Sequence, residues 1–98
     1  DVYYTKKNFL EPNSWKTNVV ITTKVHLPRC RLLFSKVLGD GYVTEYIAPN
    51  TTLPEVVLSS LESRERTLFF LHQLLLTGIA DGDHEAVRAR FELIGVTL

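Results

Sequence analysis

The spacing of hydrophobic positions divides the chain into a first half of period two and a second half of period three to four. From Trp15 onward, Val19, Ile21, Thr23, Val25 and Leu27 alternate with Asn18, Val20, Thr22, Lys24 and His26. This alternation, rich in β-branched residues, predicts a half-buried strand. Pro28 would end it, because proline lacks the N–H that a ladder needs. Residues 30–38 and 42–47 then predict a hairpin around Gly39-Asp40-Gly41, a three-residue loop with glycine available for positive φ. With Leu38 paired to Tyr42, one sheet face carries Phe34, Leu38, Tyr42 and Tyr46, and the other carries Leu33, Val37, Val43 and Ile47. Both faces are apolar, whereas an antiparallel sheet with one wet face alternates. Something must cover each side.

Beyond Ala48-Pro49-Asn50 the period lengthens. Thr51 or Thr52 would cap a helix with Pro54 in its first turn and Glu55 near its positive end. Val56, Val57, Leu58 and Leu61 form an apolar side, and Ser63 offers a second cap at a break near Glu62-Ser63. Thr67 to Ile79 is apolar nearly all round, which predicts a buried helix with Phe70, Leu71, Leu74 and Leu75 at the centre of the core. A last helix opens at Asp83, places Val87, Phe91 and Ile94 on one stripe, and ends at Gly95. Its Glu85, Arg88 and Glu92 are spaced for surface ion pairs. Residues 1–14 show no clean period and read as an irregular arm or short edge strand. Strands first and helices after predict one α+β domain over residues 1–98. In this reading an antiparallel three- to four-stranded sheet in 15–47 packs against two or three C-terminal helices in 51–95.

Composition narrows the class. With 45% hydrophobic residues and zero net charge, the 98-residue chain is too apolar for a disordered tail. The stretch from Leu68 to Leu76, interrupted by His72 and Gln73, is too short to span a bilayer. Cys30 is the only cysteine, so no intrachain disulfide can form. With no secretory leader at the start, this predicts an intracellular, cytoplasmic protein. Methionine is absent even at position 1, which predicts either a trimmed start, the more ordinary reading, or a fragment cut from a longer protein.

Candidate chemistry is sparse. His26 and Cys30 are four apart, but Pro28 lies between them and no second ligand pair is near. Asp81-Gly82-Asp83-His84-Glu85 breaks off too early for a calcium loop, so Asp81 and Asp83 read as caps of the last helix. Cys30, beside Leu32 and Phe34, reads as a small buried hydrophobe rather than a nucleophile. No glycine-rich phosphate loop, nucleophile elbow or paired-carboxylate motif is present. The expectation is a non-enzymatic protein with no catalytic residue, metal or cofactor.

Charge changes the picture most. Residues 1–50 hold seven basic and four acidic groups, and residues 51–98 hold four basic and seven acidic. Between Pro12 and Gly39 there is no acid, while Lys16, Lys24, Arg29, Arg31 and Lys36 fall there beside Trp15. Such a region can meet an acidic partner or hold phosphates with an aromatic for stacking. Two functions follow. The uncovered hairpin face of Phe34, Leu38, Tyr42 and Tyr46 predicts a protein–protein interaction and assembly module that forms a homo-oligomer or takes a protein partner. The alternative is a nucleic-acid-binding protein using the basic strands of residues 16–36. A small viral or phage structural protein would combine both.

Overall fold

The computed structural model describes residues 2–50 and 52–95. Helix α1 (Val2–Thr5) runs into a π-helical turn at Lys6–Leu10, followed by strand β1 (Thr17–Ile21) and helix α2 (Leu27–Leu38). Strand β2 (Val43–Ile47), helix α3 (Glu55–Leu75) and helix α4 (His84–Leu93) complete the order. The protein is α+β, but its sheet is two parallel strands with Thr17 opposite Val43 and Ile21 opposite Ile47. The expected antiparallel sheet of three or four strands does not form.

The hairpin fails because residues 30–38 are helical. Cys30, Leu33, Phe34, Val37 and Leu38 sit at i, i+3, i+4, i+7 and i+8, the spacing of a single helix face. Pro28 does not end a strand; it lies in the first turn of α2, where its missing N–H costs nothing. Gly39 is not a hairpin loop residue but the C-cap of α2, at φ 78°. A strand, a crossover helix and a second strand leave parallel pairing as the natural arrangement.

The N-terminal segment is helical rather than an irregular arm. Val2, Tyr3, Lys6 and Leu10 share its buried side. Helix α3 runs unbroken through Glu62-Ser63 for 21 residues, about 31 Å at 1.5 Å per residue. Pro54 is its N-cap and no side chain caps it, so Thr52 does not serve that role, while Thr51 lies outside the described residues. Helix α4 follows expectation at its ends: the Asp83 side chain accepts from the Ala86 N–H at 3.1 Å, and Gly95 follows at φ 73°. Of its expected stripe, Val87 and Phe91 are buried while Ile94 is exposed. Arg88 pairs with Glu92 at 2.9 Å.

The core joins Val2 and Leu10 to Val37 and Leu38 of α2, Leu76 and Ile79 just after α3, and Val87 and Phe91 of α4. It lies among the helix ends and not beneath the sheet. Of the four residues expected at its centre, only Leu75 packs against it; Phe70, Leu71 and Leu74 are exposed. Helix α3 turns Leu76 and His72 inward instead, because only one stripe of an all-round apolar helix meets α2 and α4.

Candidate interaction surface

The basic residues find partners that the linear sequence hides. Arg29 donates to both carboxylate oxygens of Glu65, at 2.8 and 2.9 Å, joining α2 to α3. The Arg29 hydrogen bond holds the Glu65 carboxyl below its usual range, and His26 adds to this from 3.3 Å. Lys36 donates to the Ile79 carbonyl at 2.6 Å and pairs with Asp81 at 3.1 Å. Asp81 is thus an ion-pair partner rather than a helix cap. Lys16 sits 4.4 Å from the Tyr42 ring centre, Arg31 lies 5.1 Å from that of Tyr46, and Lys24 donates to Asn50. Trp15 is exposed. The acid-free run is therefore partly neutralised by the second half of the same chain. Among the described residues Lys16, Lys24 and Arg31 meet no carboxylate.

Phe34, Leu38, Tyr42 and Tyr46 do not share a sheet face. Phe34 and Leu38 are on α2, Tyr42 precedes β2, and Tyr46 is on its inner side. Phe34 does meet Tyr46, edge to face at 6.5 Å, but as helix-on-sheet packing. Leu38 is buried in the core and Tyr42 packs against it. Burial raises the Tyr46 hydroxyl pKa. Cys30 is buried as expected, and desolvation raises its thiol pKa, so the nucleophilic thiolate is disfavoured there. Among the described residues no group of three or more His, Cys, Asp or Glu side chains could hold a metal ion. No described helix is long and apolar enough to cross a membrane.

The surface that stands open is the other side of the sheet. Both strands alternate exposed and half-buried, with Asn18, Val20, Thr44 and Tyr46 facing inward. Val19, Ile21, Val43 and Ile47 face outward at 54%, 70%, 67% and 42% exposure. The burial is inverted: the more apolar face is wet. Inside, the Asn18 side chain has no hydrogen-bond partner among the described residues for either amide atom. Among the described residues no further strand pairs with the outer edge of either strand. The Val43 N–H donates to the Lys16 carbonyl and the Thr22 N–H to the Ile47 carbonyl. In a parallel ladder this phase turns the even-numbered residues of β1 toward β2. Thr17, Val19 and Ile21 consequently direct their N–H and C=O groups away from the sheet. The alternation in Thr17–Ile21 was legible, but which side faced water was not.

A second feature had no signal in the sequence. Lys6 is buried and donates to the Val37 carbonyl at 2.7 Å and the Gly82 carbonyl at 3.3 Å. Its third proton meets His84 Nδ1 at 2.8 Å, which makes that imidazole an acceptor there. Desolvation lowers the Lys6 pKa. Beside it the Tyr3 hydroxyl donates to Glu85 at 2.7 Å. This cluster fastens the N-terminal helix to the start of α4.

No protein-family model matches the sequence, and comparisons with curated proteins and with solved structures return no match.

Proposed function

We propose that the chain is a non-enzymatic protein–protein interaction module that self-associates through its sheet. The inverted burial of the two strands carries this reading. Parallel sheets are ordinarily covered on both faces, and a two-stranded sheet is marginal alone. Fully burying a valine or isoleucine side chain contributes about 1.5–3 kcal/mol, so covering Val19, Ile21, Val43 and Ile47 is a substantial driving force. The test is native mass from light scattering over a concentration series. The parent is expected to be a dimer or larger at tens of micromolar, and an Ile21→Lys, Val43→Lys double variant to stay folded with a lower native mass than the parent. Both substitutions lie on the exposed side and leave the inner packing alone. A parent that stays monomeric at high micromolar concentration overturns the proposal.

Lys16, Lys24, Arg31 and the exposed Trp15 favour a second reading, nucleic-acid binding, because no acid among the described residues occupies these cations. The discriminating variant replaces Lys16, Lys24 and Arg31 by Ser and spares Arg29, which holds α3. On duplex DNA each lost phosphate contact should flatten the salt slope by about 0.9. Unchanged binding at every salt concentration removes this reading.

A further inference from the structure

We infer that the partner is a second copy joined edge to edge: β1 pairs antiparallel with β1 of the other copy around a two-fold axis at Val19, completing a four-stranded sheet. This rests on the self-association proposed above and adds an edge contact to it. Edge pairing leaves the outer faces of both copies open, so the covering of Val19, Ile21, Val43 and Ile47 is a separate, face-to-face contact. Thr17, Val19 and Ile21 present their N–H and C=O groups on the free edge of β1. Laid antiparallel on itself with Val19 opposite Val19, the strand sets Thr17 opposite Ile21, and every one of those groups meets its complement. No polar backbone group on that edge is left over. The pairing is isologous, so it closes at two copies instead of propagating.

Charge selects β1 over β2. The free edge of β2 offers the groups of Thr44 and Tyr46, so self-pairing there centres on Glu45 and sets it directly opposite its own copy. Like charges so placed are destabilising. Strand β1 reads Thr-Asn-Val-Val-Ile, with no charge, proline or bulge, and so lacks the devices that blunt an edge. In the Val19-centred register Lys16 stands opposite Thr22, so the flanking cations do not face each other. The outer side becomes one apolar field of Val43, Ile21, Val19 and Ile47 from both copies. The two Glu45 carboxylates sit on the outermost strands, three strand spacings or about 14 Å apart.

Two variants test the geometry, with mass read by light scattering and folding by circular dichroism. Val19→Pro removes an outward N–H and leaves the bonds to β2 intact, since proline is tolerated on an edge facing solvent. It should raise the dimer dissociation constant at least tenfold while retaining secondary structure. Val19→Cys should form a disulfide-linked dimer under mild oxidation, because a directly opposed pair lies within disulfide reach, and Glu45→Cys should not. Cross-linking at Glu45→Cys but not at Val19→Cys overturns the β1 pairing. Parent-strength dimerisation of a folded Val19→Pro chain also overturns it, while leaving self-association standing. A monomeric parent overturns both. If Val19→Pro unfolds, the cysteine pair decides alone.

Discussion

His72 is a buried side chain whose protonation state bears on stability. It lies edge-on to Phe91 at 5.1 Å, and its Nδ1 has no protein hydrogen-bond partner. Burial lowers its pKa from 6.5; the charges of Arg29 and His26 push the same way, and Glu65 opposes them. The unfolded chain therefore takes up this proton at a higher pH than the folded protein. The contribution is intact above about pH 6.5 and is lost as pH falls from there toward the folded value. The urea midpoint should drop between pH 7.5 and 5.5, and His72→Leu should flatten that drop. Glu65 does not confuse the reading, because its pKa is lowered from 4.5 and its contribution fades only below that. An unchanged profile in the variant would show that His72 is not the titrating group. At this scale the sequence is legible where chemistry is local. Asp83 caps the residue three positions on, so its role can be read from spacing alone. Lys6 cannot be read this way, because its acceptors lie 31 to 78 residues away.

Helix α2 shows why an element can be misread from a sound pattern. Leu33 and Val37, like Phe34 and Leu38, are four apart, and four positions fit either two strand periods or one helical turn. The apolar character of both presumed strand faces was the symptom, since a helix gathers both pairs onto one side. Pro28 and Gly39 then change meaning, from a strand stop and a turn to a helix start and a helix cap. Gly39 also has a packing role: a Cβ there would come within 2.7 Å of Gly82 Cα, and the Gly82 N–H donates to the Lys36 carbonyl at 2.7 Å. Gly39→Ala combines an essentially glycine-only backbone conformation, φ 78° and ψ −170°, at about 1–3 kcal/mol, with a backbone clash. It should cost more than about 2 kcal/mol by chemical denaturation. Gly41→Ala, with nothing within 4 Å of the added Cβ, should be near neutral. Equal effects at the two sites would show that α2 does not dock on the turn before α4.

Across the whole molecule, the core and the sheet are offset from one another. Val37, Leu76, Val87 and Phe91 are the largest fully buried side chains, and all lie among helix ends. Phe91→Ala should therefore cost about 3–5 kcal/mol, whereas Leu71→Ala, at a half-exposed site, should cost under about 1 kcal/mol in the isolated chain. The reverse ranking in urea denaturation would move the core to the middle of α3. Hydropathy alone could not order these residues, because Leu71 and Leu76 look alike until the packing stripe of α3 is known. Charge segregation along the chain was read correctly, yet Arg29–Glu65 and Lys36–Asp81 convert part of it into internal cross-links. The clasp made by Lys6 carries a consequence for the order of assembly during synthesis. His84 emerges 78 residues after the lysine that it receives. At 5–20 residues per second this delay is roughly 4–16 s. Through that interval the ammonium lacks its Gly82 and His84 acceptors and α1 has only α2 to pack on, because α4 has yet to appear. The segment around Lys6 is thus made long before it is fully fixed, and a chain stalled before α4 leaves part of its apolar side open to whatever is nearby.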